Sequence, residues 1–332
     1  LTVEKIVVTG SCGFIGYNFI KSNSSNFKII GIDSLNNAYD KKLKDLRLLS
    51  LNDEPNFTFK HLDLSNEIAL DKESEIFENV STVLHLGARA GVRQSFLDPK
   101  SYILDNTAAT ANLALNVKKY KIKKFIIAST SSIYGDTGVN YAEENKDELE
   151  NPPSIYAATK SFGEVLARNI LEDTNTTIQI PRFFTVYGPF GRPDMSILRF
   201  IHWISTDQEV IIYGDGEQKR SFTFISDIIS GLNKLFTHND SGIFNFGSNE
   251  TWSLNQVIGL IEKKLNKKAI IVNRERAMKD VDIVLPSLKL SKSLLNWEPT
   301  TRIEDGIDAT VEWYKNYKDE LKEIKFKYEY EK

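Results

Sequence analysis

A short apolar run, Lys5-Ile6-Val7-Val8-Thr9, leads without interruption into Gly10-Ser11-Cys12-Gly13-Phe14-Ile15-Gly16. The β-branched run predicts a buried strand. Glycines at 10, 13 and 16 have the spacing of a tight turn that passes close to a pyrophosphate and then packs a helix onto that strand. The unpaired N–H groups at the helix's amino end, with its dipole, favour an anion. A second predicted strand, Phe27 to Ile32, ends at Asp33, 17 residues beyond Gly16. A carboxylate there accepts from an adenosine 2′-hydroxyl and repels a 2′-phosphate, so NAD is expected over NADP. Cys12 reads as a small loop filler, since the chain has no second cysteine to partner it.

Further strand–helix units follow the first. Asn56 to His61 reads as a strand ending at Asp63-Leu64, a place suited to lie beside an adenine, and Val80 to Leu86 reads as another. Gly87-Ala88-Arg89-Ala90-Gly91 is then a small-residue loop that lets backbone pass under a cofactor. Residues 101–120 and 154–171 read as two long helices of the kind that pair with their copies in a second subunit. Such alternation predicts an α/β fold, a doubly wound parallel (Rossmann) sheet with helices on both faces.

After Ile180 the texture changes. Glycine, proline and aromatic residues cluster from Pro181 to Pro193, as expected where a chain leaves a nucleotide domain. Tyr213-Gly214-Asp215-Gly216 is a turn beside Arg220. Asp227 to Phe236 reads as a helix, and Gly242 to Gly247 as a strand returning to the main sheet. Ile303 to Tyr314 reads as a late helix, and Lys315 to Lys332, where charge alternates with Tyr and Phe, as a frayed one. The expected division is a nucleotide domain over 1–181 to which 221–247 returns, and a smaller α/β C-terminal substrate lobe from 182–220 and 248–332.

The segment from Thr130 to Lys160 carries chemistry. Hydroxyls at Ser129, Thr130, Ser131 and Ser132 end the apolar run Phe125-Ile126-Ile127, which places them at the carboxyl end of a strand, where open α/β sheets bind ligands. Tyr156 and Lys160 are four apart on a predicted helix and share a face. A free tyrosine, with a pKa of about 10, is a poor base near neutrality. An ammonium and a cationic nicotinamide ring beside it favour phenolate. That combination suits removal of a proton from a sugar hydroxyl while a hydride leaves the same carbon.

Size and charge limit the alternatives. With 332 residues the chain can build one large core or two domains. A net charge of −3 gives no reason to expect nucleic acid or an anionic membrane as partner. One cysteine and four histidines, none at ligand spacing, lead us to expect no disulfide and no metal. No signal peptide or bilayer-length apolar run is read, so the cytoplasm is the expected compartment.

Taken together, these motifs resemble those of the extended short-chain dehydrogenase/reductase family, the NAD-dependent sugar-nucleotide epimerases and dehydratases. The likeness runs from residue 3 to about 317. Ala90-Gly91-Val92-Arg93, Ser131-Ser132-Ile133-Tyr134-Gly135 and the run Arg182 to Met195 are most similar to the branch that epimerises UDP-glucuronate at C4. The resemblance implies catalytic Thr130, Tyr156 and Lys160. Its implied cofactor set is Gly10, Gly13, Phe14, Ile15, Gly16, Asp33, Asn36, Asp63, Leu64, Leu86, Ala88, Asn106, Ser129, Tyr156 and Lys160. For the substrate it implies Arg93, Thr130, Ser131, Ser132, Thr185, Arg192, Arg220 and Asp280, and for the assembly a homodimer.

The reaction it implies is C4 epimerisation of a UDP-sugar, most closely UDP-glucuronate to UDP-galacturonate, through a 4-keto intermediate that turns over in the pocket. Related dehydratases carry Asp-Glu, and related decarboxylases a glutamate, where this chain has Ser131 and Ser132. Without a carboxyl group there, elimination and assisted decarboxylation lack their proton-transfer group. Serines instead bind a sugar carboxylate as neutral donors. Two positions depart from the family pattern. Ser221 stands where aspartate is usual, and Lys279-Asp280-Val281 replaces a glycine-containing turn. The competing expectations are a neutral UDP-hexose 4-epimerase, a UDP-glucuronate decarboxylase and a non-catalytic NAD-binding regulatory module.

Overall fold

Alternation within the first strand divides the core in two. Ile6 and Val8 enter one apolar cluster and Val7 enters another. Leu84 and Val83 divide in the same way, as do Ile126 and its neighbours Phe125 and Ile127. Side chains along a strand point to opposite faces in turn, so both faces of this sheet are covered, and near-continuous apolar runs follow from that. Each aliphatic side chain so buried stabilises the fold by about 1.5–3 kcal/mol.

The computed structural model describes residues 3–137, 141–143, 151–275 and 283–326. Its main sheet contains β1 (Glu4–Thr9), β2 (Phe27–Asp33), β3 (Phe57–His61), β4 (Thr82–His85), β5 (Lys124–Ile127), β6 (Thr177–Phe183) and β7 (Gly242–Phe246), in the order 7-6-5-4-1-2-3. All of these pairings are parallel. Beyond β5 a two-residue strand, Ser129–Thr130, pairs with Arg182 and Phe183. The winding reverses between β1 and β4, and the crevice at their carboxyl ends is where such sheets take ligands.

A smaller lobe is built on helices Ser196–Ser205, Leu254–Leu265 and Ile303–Asn316, with a parallel ribbon of Glu209–Tyr213 and Ile270–Arg274. Its apolar side chains, among them Phe200, Val257 and Val311, belong to the same cluster as Ile6 and Leu84 of the sheet. Phe222–Phe224 pairs with Thr185–Tyr187 and does not enter the main sheet. The helix Ile225–Thr237 packs on the first helix, Phe14–Asn23, with Phe236 stacked on Phe19.

Two elements differ from the sequence expectation. The helix expected over 101–120 is interrupted. Pro99–Tyr102 is α-helical, Ile103–Ala108 forms a wider π-turn, and Ala109–Lys119 resumes the α-helix. Insertions of this kind are frequent at functional sites. The tail is packed where fraying was expected. After a single turn at Lys318–Leu321, residues Leu321, Ile324 and Phe326 are buried, and the Phe326 ring stacks on His202 at 3.8 Å. The charges of this segment face water and its apolar residues face the lobe. Residues 327–332 lie outside the described ones.

Candidate active site

At the carboxyl ends of β1 and β4 the chain lines a cavity of about 950 Å³. Gly10 adopts φ +66°, and a Cβ there would stand 2.8 Å from Gly87 N. A Cβ at Gly16 would lie 2.2 Å from the Gly10 carbonyl oxygen. Only glycine fits these two positions. Gly13 caps the helix Phe14–Asn23 without a side-chain partner for its first N–H groups, so they open toward the cavity.

The Asp33 carboxylate is held at both oxygens. Oδ2 accepts from Cys12 N at 3.0 Å and Oδ1 from Leu35 N at 2.8 Å. Sequence reading missed the cation beside it. Lys44 Nζ lies 3.9 Å from Asp33 Oδ1 and donates to Asn36 Oδ1 at 2.7 Å. Asn36 in turn donates to Asp105 Oδ2, which also accepts from Arg89 Nε at 2.9 Å. Asp63, Leu64, Leu86, Ala88, Phe14 and Ile15 line the same cavity.

Asn106, implied above as a cofactor contact, is buried and is not among the residues that line the cavity. Its Oδ1 accepts from Arg89 N at 2.7 Å, and its Nδ2 donates to Arg89 O and Thr159 Oγ1, each at 3.0 Å. The π-turn directs this amide at backbone, so it fixes the Gly87–Gly91 loop from behind. Asp105, one position earlier, is the residue that faces the cavity.

Ser154 Oγ accepts from Ala157 N and starts the helix Ile155–Ile170, which carries Tyr156 and Lys160 into the cavity. Thr130 Oγ1 accepts from Ser132 N at 3.1 Å, turning Ser131–Tyr134 into one 3₁₀ turn. Burial pushes the Tyr156 phenol above its ordinary value, while the Thr130 hydroxyl and the Arg192 guanidinium pull it back. Burial also lowers the Lys160 ammonium to about 8, against the opposing charge of Glu164. The protein alone therefore leaves Tyr156 harder to ionise than the sequence argument expected.

Ser131, Ser132 and Thr185 line the cavity beyond Tyr156. Arg192 Nε donates to Asp194 Oδ1 at 3.0 Å, and its Nη2 reaches Asp194 Oδ2 and the Ala90 carbonyl. Farther out, the Arg93 guanidinium lies 4.3 Å from the centre of the Tyr213 ring. Arg220 sits on the ribbon that joins Lys219–Arg220 to Trp252–Ser253. A second missed cation, Arg199, lines the wall over Trp203. Ser221, the departure from the family pattern, donates to Ser248 O at 2.7 Å and accepts from Ser248 N at 2.8 Å. An ionised aspartate could accept there but could not donate. Asp280 and its neighbours Lys279 and Val281 lie outside the described residues.

Comparison with known proteins agrees with this geometry. Residues 6–247 match the model of the NAD dependent epimerase/dehydratase family. The chain is 40% identical over 326 residues to UDP-glucuronate 4-epimerase of Thermodesulfobacterium geofontis, covering 96% of this chain and 98% of that one. Among solved structures, UDP-glucuronic acid 4-epimerase of Bacillus cereus, in complex with UDP-glucuronic acid and NAD, is 32% identical with a TM-score of 0.86. That match covers 94% of this chain and 99% of the other. UDP-glucose 4-epimerase of Thermotoga maritima with UDP-glucose is 25% identical with a TM-score of 0.85, over 94% and 99% of the two chains.

Proposed function

We infer that this chain, which belongs to the NAD-dependent epimerase/dehydratase family, interconverts the C4 epimers of a UDP-sugar, UDP-glucuronate and UDP-galacturonate being the pair its site suits best. One observation carries the reading. Tyr156, Lys160 and Thr130 meet in the same cavity as the glycine turn and Asp33, with neutral hydroxyls at Ser131, Ser132 and Thr185.

The residues present fit NAD. Gly10 and Gly16 have no room for a Cβ, the helix after Gly13 presents unpaired N–H groups, and Asp33 is oriented by two backbone donors. Bound NAD would supply a hydride acceptor that returns what it takes, and a positive ring that favours the Tyr156 phenolate. In this reading Tyr156 takes the C4 hydroxyl proton, Thr130 hydrogen-bonds the C4 oxygen, and Lys160 holds the nicotinamide ribose and the phenolate charge. After the 4-keto sugar turns over, Tyr156 returns the proton and the other epimer leaves.

The intermediate from an acid sugar is a β-keto acid, which loses carbon dioxide when its carboxylate aligns with the carbonyl π system. Ser131, Ser132 and Thr185 offer neutral donors that hold the carboxylate out of that alignment, and Arg192 closes that side. Arg93 and Arg220 are suited to the diphosphate, which guanidinium groups bind well. We also propose a cytoplasmic homodimer. Exposed Leu104, Leu115 and Phe162 on the helices of 99–119 and 155–170 support the pairing, and no helix among the described residues is long and apolar enough to cross a membrane.

A neutral UDP-hexose epimerase is the second reading, supported by a TM-score of 0.85 with the Thermotoga enzyme. The test is a panel of nucleotide sugars with products identified by NMR, together with assay of the nucleotide released on denaturation. UDP-galacturonate from UDP-glucuronate and released NAD are expected. Preference for UDP-glucose would transfer the assignment to the second reading, and released NADP would overturn the role given to Asp33.

A further inference from the structure

The helix that carries Tyr156 and Lys160 continues the same face one turn further, to Glu164. Glu164 is a carboxylate with 1% of its surface exposed, and nothing in the proposed reaction uses it. Its partners are specific. Arg182 of β6 grips it twice, Nε to Oε1 at 3.0 Å and Nη2 to Oε2 at 2.8 Å. Ser129 donates its hydroxyl to Oε1, and Arg168 approaches Oε2 at 3.7 Å from the solvent side. Behind the pair, Arg182 lies 5.0 Å over the Tyr134 ring, whose hydroxyl donates to Asn245 Oδ1.

A buried ion pair costs desolvation on both partners, and an apolar pair of similar volume is often as stable. Stability alone therefore gives little reason to place a carboxylate here. Position gives a better one. Glu164 lies one helical turn from Lys160, and its contact with Ser129 anchors the short strand that presents Thr130 to Tyr156. We propose that Glu164, paired with Arg182, is a positioning residue for the Tyr156–Lys160 site, its charge holding the Lys160 ammonium and its hydrogen bond fixing the Ser129–Thr130 strand end.

The groups that face Lys160 come from several elements. Tyr156 and Glu164 lie on its own helix. His85 of β4 stands close, and burial, with Lys160's own charge, lowers its pKa to about 3, so it adds no positive charge near neutrality. Arg182 bonds Glu164 and lies over the Tyr134 ring, and Arg192 acts on Tyr156. Among the described residues, Glu164 is thus the anion that opposes the burial depressing Lys160. Arg182 spends its fork on the carboxylate, which prevents Glu164 from bonding Lys160 directly and displacing it from the cavity.

The inference rests on the epimerase reading, so its test includes a measurement that needs no turnover. Protein retaining its nucleotide is labelled with ¹³C at lysine Cε, and the Lys160 signal is identified by its loss in Lys160→Met. Glu164→Gln should lower the Lys160 midpoint by about one pH unit, and the upper pH limb of kcat/KM should move with it while KM changes little. Glu164→Asp, which keeps the charge, should restore most of the shift. Should Glu164→Gln fail to fold, the double variant Glu164→Leu with Arg182→Met removes the pair without stranding a charge and should show the same lowering. A folded variant with the wild-type midpoint would overturn the proposal, as would equal shifts in Glu164→Asp and Glu164→Gln. A shifted midpoint in a protein that epimerises no nucleotide sugar would support the charge coupling and reject the epimerase reading instead.

Discussion

The Arg47 guanidinium donates to the carbonyl oxygen of Phe190 at 2.7 Å, joining residues 143 apart in the chain. The same group donates to Gly191 O at 3.0 Å and to Cys12 O at 2.9 Å. Arg47 is fully buried, and it ties the glycine turn under the nucleotide to the loop that leads into Arg192. Arg47→Met leaves three buried carbonyls without this donor. It should destabilise the protein by about 2–4 kcal/mol and reduce the NAD retained on purification. Urea unfolding and nucleotide content together check both effects, and unchanged nucleotide content in the folded variant would show that the strut does not support the turn.

Tyr156→Phe removes the proposed base while keeping the ring that meets Tyr102 edge-on. Turnover should fall by about 10²–10⁴-fold with nucleotide and UDP-sugar binding nearly intact. Steady-state rates beside calorimetric binding separate the two. Near-normal turnover would mean that another group takes the proton.

Thr185→Val keeps the shape of a side chain proposed to hold the sugar carboxylate. Each charge-assisted hydrogen bond lost should cost about 1.5–3 kcal/mol, or roughly one to two decades in kcat/KM for UDP-glucuronate. A loosened carboxylate can swing into alignment with the ketone, so a larger share of turnovers should leak to a decarboxylated 4-keto pentose. Mass spectrometry of products and trapped carbon dioxide would register the leak. No change in rate or product would remove Thr185 from the carboxylate's partners.

His85 gives a pH signature of folding. Thr110 donates to Asn106 O, so His85 Nε2 carries the proton it gives to Thr110, and Nδ1 accepts from Thr9. Gly87 N donates to Thr9 in its turn. Burial lowers the His85 pKa to about 3 and that of His202 to about 4. Below about pH 6.5 the unfolded chain binds protons that these folded rings refuse. Stability is therefore intact above about pH 6.5 and falls with pH toward 3, by up to about 1.4 kcal/mol per unit for each ring. Urea unfolding at pH 7, 6 and 5 should show the fall, and His85→Gln should flatten it. A variant as steep as wild type would assign the slope to other groups.

Much of the nucleotide half was legible because its signals are backbone signals. Glycines at 10 and 16 are needed for space, Asp33 ends a strand, and Tyr156 and Lys160 share a helical face whatever surrounds them. The inward cations were not legible. Lys44 and Arg47 lie on the helix Lys41–Leu51 among other charged residues, and charged side chains are mostly exposed. Only tertiary placement decides that these two turn inward. The π-turn at Ile103–Ala108 has no local sequence cue, so the turn of Asp105 toward the cavity was not legible. In the tail, alternation of charge with aromatic residues is equally compatible with fraying and with a packed edge. What the apolar residues could reach settles the matter, and the partner of Phe326, His202, lies more than a hundred residues earlier.

The position of β7 in the sheet bears on how the chain is made. On the ribosome, residues up to Phe183 emerge with the glycine turn, Asp33, Tyr156 and Lys160 already in hand. The neighbour of β6 is still unsynthesised at that moment, because Gly242–Phe246 pairs with Gln179–Phe183 only after the intervening segment has emerged. Until then β6 presents an unpaired parallel edge, a template for the wrong partner. A nascent chain stalled after residue 183 therefore holds the residues that define the nucleotide site inside an unfinished sheet. Expressed alone, residues 1–183 should give an aggregation-prone fragment, and the nucleotide should enter only once the outer strand has closed that edge.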